Sequence, residues 1–403
     1  MTEDPPAAIS GVYCTVVARN YLPQALSLYT SIQKHEPHRP FVILVIDGVP
    51  AGLEDMYPGV RFAELNFLGL TSRELLDLAT IYDVVELSTA VKPLFLQRLR
   101  DEFDQAVYLD PDTYLISPLV EIESLVEEHG VVLTPHLLEP ITPGESFRSE
   151  VNSLTVGVHN LGFCAVGRGS DKFLDWWWSH LERECLIYPL LGLFVDQKWV
   201  DVGSVLFDAH SFRHYGYNIA HWNLHEREFE RRGSNYYMIR TDEPLRLLHF
   251  SGFDPKDPEA ISVRQNISLR EKGLNSAAYS TLSREYAALL LDIRQKINAT
   301  SSYAYSHDLS GRLLTKRLRR TYRQELLKGG LSYLPSPFIE SDRAKFARWR
   351  LTSLMQQMTG AAGDAAIGLK YAFPDAYGIL KRVVPSLYGQ VREQLLRQGQ
   401  IRR

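Results

Sequence analysis

Apolar positions fall first into short unbroken runs and later into a spaced pattern. GVYCTVVA (11–18) and FVILVIDG (41–48) are apolar at nearly every position and rich in β-branched residues, as in strands buried on both faces. Between them Leu22, Ala25, Leu26, Tyr29 and Ile32 share one helical face, which predicts a helix over Leu22–His35. The same reading gives strands at 60–65, 105–109, 130–134 and 161–166, and helices at 75–82, 89–103, 119–129 and 171–188. Strands alternating with helices of this length predict an α/β fold with a mostly parallel sheet. After Pro258 the apolar runs stop, and 276–296, 313–328, 344–357 and 380–398 carry helical spacing.

Charge divides the chain at the same place. The net charge of the 403 residues is −4, yet residues 260–403 hold 24 Lys+Arg against 10 Asp+Glu, so residues 1–259 are strongly acidic. Two regions are therefore expected, 1–260 as an α/β domain and 261–403 as a basic helical region. The near-neutral total argues against a nucleic-acid-coating protein. Cys14, Cys164 and Cys185 are few, odd in number and widely spaced, which fits small apolar residues in a reducing compartment better than a disulfide or zinc scaffold. The acidic, Pro-rich start MTEDPPAAIS does not read as a signal peptide, and no apolar run reaches the roughly 18 residues of a membrane span. The expected location is cytoplasmic, and the sequons at Asn266 and Asn298 read as chance matches.

The most informative stretch is AVYLDPDTYLISP (106–118). A buried strand ends in Asp110-Pro111-Asp112, and ligands of open α/β sheets bind beyond the carboxyl ends of strands. Asp-Pro-Asp is also turn chemistry. Two carboxylates one residue apart can share a hard divalent cation, which in such sites also meets substrate phosphates.

This segment resembles the DXD motif of GT-A fold glycosyltransferases, and more closely that of glycosyltransferase family 8. YCTVVARNYLPQALSLYTSI (13–32), STAVKPLFLQRL (88–99), HNLGFCAVG (159–167), FVDQKWVD (194–201) and HFSGFDPKDP (249–258) resemble further family segments, in the family's order. The resemblance covers about residues 10–260. It implies a Rossmann-like nucleotide-diphospho-sugar transferase (GT-A) fold, a mixed sheet flanked by helices, here with a C-terminal helical extension. It also implies a metal-dependent transfer of a sugar from a nucleotide-diphosphate donor, UDP-sugar above all, to a glycan, lipid-linked or small-molecule acceptor.

By this resemblance Asp110, Asp112 and His249 hold the metal, and the imidazole favours Mn²⁺ over Mg²⁺. Lys92 carries a cation toward the donor, and Lys256, one residue out of the family's register, is a further candidate for a phosphate. Ala18, Arg19, Asn20 and Tyr21 form the nucleoside loop, with Asp83 a second candidate for base or ribose. Asn160 and Gly162 lie against the donor sugar. Asp196 and Gln197 form the reacting-face pair, as a group beneath the anomeric carbon or as electrostatic support for a sugar cation. The family is a retaining one. Asn218, Trp222, Asn223 and His225 are expected to line an acceptor cleft. His221 and His225 at i, i+4 lack a third zinc ligand at any motif spacing.

In GRLLTKRLRRTYRQELLKGG (311–330), Lys316, Arg317, Arg319, Arg320 and Arg323 crowd a helix with an apolar face. Peripheral contact with an anionic membrane, packing on the acidic domain and a homodimer contact all fit this pattern; no nucleic-acid recognition motif is present. Two rival functions remain: a nucleotidyltransferase, against which the absence of a Gly-rich loop after the first strand counts, and a degenerate sugar-nucleotide-binding scaffold, against which Asp110, Asp112 and His249 count.

Overall fold

The computed structural model describes residues 11–141, 150–262, 267–268, 277–299, 302–329 and 334–372, with the backbone alone at 190, 267–268, 366–367 and 369–372. The helix expected at 380–398 and the sequon at Asn266 lie outside the described residues. The apolar runs become the central strands: β1 (Gly11–Val17), β2 (Phe41–Val45) and β4 (Gln105–Leu109) are buried at every position, while β3 (Val60–Glu64), at the sheet edge, buries only Val60 and Ala63. With β6 (Val131–Pro135), β7 (His159–Val166) and the short strand His210–Ser211 they form one seven-stranded sheet in the order 210–211, β6, β7, β4, β1, β2, β3. Its pairs are parallel except those of β7, which runs antiparallel to both β4 and β6. The fold is thus mixed α/β, a mostly parallel sheet flanked by helices.

The chain divides into two compact units, Met1–Leu70 with Ser88–Cys185 and Phe194–Tyr303, and Thr71–Leu87 with Leu186–Leu193 and Ala304–Arg403. Where the charge switch suggested a boundary near 260, the first unit runs on to Tyr303. The reason is aromatic packing. The helix Ala277–Lys296 brings Tyr286 flat against Phe250 (centroids 4.2 Å apart, 6° between planes) and edge-on to Tyr114. Trp177 of the helix Asp171–Glu184 is buried, and all three cysteines are free and buried.

Two features of the first unit build the site. β5 (Thr113–Leu115) pairs antiparallel with the strand Leu247–His249, in the register Thr113 to His249. β7, being antiparallel to β4, begins where β4 ends, so Gly162 O accepts from Asp110 N (2.8 Å). Segments over 130 residues apart thus meet at the carboxyl end of β4.

In the second unit the positive charge of the helix Lys316–Gly329 has internal uses. Arg319 is buried and donates to the carbonyls of Ala79 (2.6 Å), Thr80 (3.2 Å) and Tyr82 (2.7 Å), at the C-terminal end of the helix Ser72–Ile81. A helix end leaves such carbonyls without donors, and a guanidinium supplies several at once. The opposite end of that helix carries a capping box from Thr71 and Glu74. Arg320 pairs with buried Glu86 (2.5 Å), Lys316 with Asp83 (3.0 Å) and Arg317 with Asp364, while Arg323 is buried. Asp83, expected at a nucleoside, is thereby occupied within the second unit. Its carboxylate also accepts from Val85 N and Glu86 N. Burial pushes its pKa up, but these hydrogen bonds and Lys316 outweigh burial and hold it below the ordinary value. Leu351, Leu354, Met355 and Met358 form an exposed apolar stripe across the helices Arg343–Thr352 and Leu354–Ala372. Among the described residues, no helix is long and apolar enough to cross a membrane.

Candidate active site

Asp110, Asp112 and His249 meet at the end of β4. Each offers one ligand atom, and these atoms lie within 4.8 Å of one another; among the described residues this is the one group of three or more such side chains so arranged. His249 Nε2 stands 3.1 Å from Asp112 Oδ1 and 3.8 Å from Asp110 Oδ2. The donor set fits a divalent cation: two hard carboxylate oxygens and one imidazole nitrogen, a combination Mn²⁺ accepts more readily than Mg²⁺. The turn that presents the carboxylates is closed by Thr113, whose N and Oγ both donate to Asp110 O (3.0 and 2.7 Å). Tyr21 OH donates to Asp112 Oδ2 (3.2 Å), tying the loop after β1 to the cluster.

Beneath the cluster lies a buried charge network. Lys92, 2% exposed, stands 2.9 Å from Asp196 Oδ2 and 3.5 Å from Asp110 Oδ1, and donates to Leu161 O (3.1 Å). Its ammonium also lies over the Tyr108 ring, whose hydroxyl donates to Asp110 Oδ1 (2.8 Å). Burial alone lowers the pKa of a lysine, but Asp110 and Asp196 together outweigh it and hold Lys92 above the usual lysine range. Lys92 is therefore an internal counter-charge that fixes two carboxylates. Asp196, 1% exposed, is part of this interior pair, and burial raises its pKa against the pull of Lys92.

The other expected residues are placed as follows. Arg19 bends to the end of β2: its N donates to Asp47 Oδ1 (2.8 Å) and its Nε to Gly48 O (2.7 Å). Asn20 Oδ1 is buried and accepts no hydrogen bond among the described residues, and Ala18 is buried at the turn that carries them. Gln197 and Asn160 are buried and bonded at both ends of their amides. Gln197 Nε2 donates to Val156 O (3.1 Å), and its Oε1 accepts from Leu161 N (3.2 Å) and Asn160 Nδ2 (3.1 Å). Asn218 and Asn223, expected to face an acceptor, are instead interior. Asn223 Nδ2 donates to the carbonyls of His136 and Asn218, and its Oδ1 accepts from Ala220 N. Trp222 stands edge-on to His249 (centroids 5.1 Å apart, 85°) and to His136 (5.3 Å). His225 is half-buried and Lys256 is exposed on a turn, its N–H donating to Asp254 Oδ1.

Sequence reasoning missed Tyr108, Asp47 and His136. Tyr108 has a signal, since it lies two residues before Asp110 on the same side of β4. Asp47 ends a buried strand beside β1. His136 has none: burial lowers its pKa to about 4, so it is neutral, and Asn160 Nδ2 lies 3.2 Å from its Nε2.

Gly162 makes the cluster sterically possible. A Cβ there would stand 2.6 Å from His249 Cε1 and 2.6 Å from Asn160 Oδ1. Gly162→Ala is expected to push the His249 ring off the carboxylates, costing about 1–3 kcal/mol of stability and at least tenfold in Mn²⁺ affinity, measured by calorimetric titration.

No protein-family model matches the chain. The chain is 27% identical over 264 residues to "Uncharacterized protein YfnF" of Bacillus subtilis (strain 168), a match spanning 61% of this chain and 82% of that protein. In structure it is similar to the WbbM bifunctional glycosyltransferase in its apo form (14% identity, 73% of this chain and 53% of that one, TM-score 0.43). It is also similar to the galactosyltransferase LgtC in complex with donor and acceptor sugar analogues (13%, 69% and 95%, 0.40) and to the glycosyltransferase GlyE of Streptococcus pneumoniae TIGR4 (14%, 74% and 66%, 0.41). The chain thus spans about half the length of WbbM.

Proposed function

We propose that the protein is a metal-dependent glycosyltransferase of GT-A type, resembling family 8, that moves a hexose from a UDP-sugar to a glycan, lipid-linked or small-molecule acceptor. The observation that carries this reading is the convergence of Asp110, Asp112 and His249 at the carboxyl end of β4. Bound there, Mn²⁺ supplies Lewis-acid neutralisation of the charge that builds on a leaving diphosphate. An acidic domain needs such a cation before it can hold a diphosphate at all.

The chain's own residues then divide the work. Asp110 and Asp112 supply the anionic ligands, and Lys92, 3.5 Å from Asp110 Oδ1, holds that carboxylate in place. The loop Ala18–Tyr21 takes the nucleoside, with Arg19 shaping the loop through Asp47 and Gly48. Asn20 Oδ1 awaits a donor, since an acceptor left buried without one costs about 1–3 kcal/mol. Asp196, buried and paired with Lys92, is a positioning residue. Gln197, its amide bonded at both ends, lies beside Asn160. This favours electrostatic support of the sugar cation over attack by a carboxylate. Retention follows from the resemblance.

The test is UDP release from UDP-glucose and UDP-galactose in the presence of Mn²⁺. Turnover that chelation by EDTA abolishes and added Mn²⁺ restores supports the reading. Absence of release from every UDP-sugar, together with absence of metal-dependent UDP binding, contradicts it.

A further inference from the structure

The hydrogen bonds around the cluster determine which nitrogen of His249 carries its proton. The determination begins at a backbone amide, which can only donate. Gly162 N–H points at the Asn160 side chain at 3.0 Å, so the Asn160 atom there is its oxygen. Asn218 Nδ2 lies 3.0 Å from that same oxygen and 2.9 Å from Thr134 Oγ1, so the amide nitrogen of Asn218 faces this way. Its oxygen then faces His249 Nδ1 at 2.9 Å. An amide oxygen only accepts, so Nδ1 carries the proton. In the neutral ring Nε2, the nitrogen directed at Asp110 and Asp112, then has the lone pair. A free neutral imidazole prefers the opposite arrangement, with the proton on Nε2.

The backbone of Asn218 adds an independent observation. Its φ is +53°, in the left-handed region that side chains other than glycine rarely adopt. Glycine would take this conformation without strain, whereas asparagine tolerates it and keeps an amide there. The same segment holds the backbone of His249, whose N–H donates to Ile219 O (2.7 Å).

We propose that Asn218 is a positioning residue that fixes the tautomer and ring orientation of His249, so that Nε2 presents a lone pair to a divalent cation. The orientation is handed down from Gly162 N–H through Asn160 and Asn218 to the metal ligand. Partners of this kind behind a ligating histidine change metal affinity by about 10–100-fold. The inference rests on reading Asp110, Asp112 and His249 as a cation site.

The test uses the full chain and two variants. Asn218→Gly keeps the backbone conformation and deletes the amide. Asn218→Asp keeps an acceptor for Nδ1–H. Mn²⁺ affinity is read from the electron paramagnetic resonance of free Mn²⁺, and the tautomer from ¹⁵N shifts of His249 in metal-free protein. Wild type is expected to show the proton on Nδ1. Asn218→Gly is expected to lose that signature and at least about tenfold in affinity, and Asn218→Asp to keep the signature and to bind more tightly than Asn218→Gly. The proposal is overturned if Asn218→Gly keeps the Nδ1–H signature, or if it binds Mn²⁺ as tightly as wild type. Absence of Mn²⁺ binding by wild type would instead remove the cation reading itself, while the ¹⁵N shifts still decide whether Asn218 sets the tautomer.

Discussion

Asp112→Asn is expected to leave the protein folded and to lower metal-dependent UDP-sugar turnover by about 10³-fold. The carboxylate lies 3.1 Å from His249 Nε2 and close to Asp110, so without a cation it adds negative charge to an already acidic cluster. Asparagine keeps the shape and an acceptor for Tyr21 OH. It removes the charge that a divalent ion needs. Loss of Lewis-acid support is worth several kcal/mol, and ~4 kcal/mol corresponds to about 10³ in rate. The melting temperature should be unchanged or raised, because a like-charge contact is relieved. Turnover by Asp112→Asn at the wild-type rate would remove Asp112 from the metal site.

Lys92→Met has the larger effect on the fold. It leaves Asp196 and Asp110 without their shared cation, and Asp196 is buried. Breaking one side of a buried ion pair costs about 3–5 kcal/mol, whereas replacing the pair by apolar residues is often neutral. Lys92→Met alone is therefore expected to melt on the order of 10 °C lower. The double variant Lys92→Met with Asp196→Leu is expected to recover most of that loss. A single variant as stable as wild type would show that the network carries no such load. Chemical denaturation and thermal melting both read this.

Much of this arrangement was legible in the sequence because it depends on local pattern. The unbroken apolar runs gave β1, β2 and β4, and the helical spacing from Leu22 to His35 matches the observed helix end for end. The carboxyl end of β4 carries its two carboxylates, and His249 meets them in space. What could not be read depends on partners far away in the chain. β5 and the strand Leu247–His249 have three residues each, too few for any alternation to register. Strand direction leaves no mark in composition, so the antiparallel run of β7 that brings Gly162 to Asp110 was invisible. Asp196 reads as half of a reacting-face pair; its burial against Lys92, a residue on a distant helix, leaves no mark in the local pattern. The charge of residues 316–323 read as a surface feature because its acceptors, Glu86 and the carbonyls of Ala79 to Tyr82, lie more than 230 residues earlier. Asn218 and Asn223, polar and next to aromatics, looked like wall residues of a cleft, yet their amides are consumed by interior groups.

The proposed function requires that this chain hold a nucleoside diphosphate through a divalent cation on Asp110, Asp112 and His249. Calorimetric titration of UDP into wild-type protein, with Mn²⁺ and with EDTA, tests it most directly. The predicted result is one UDP bound per chain with Mn²⁺ and none detectable with EDTA. UDP binding of equal strength under both conditions, or under neither, would contradict it.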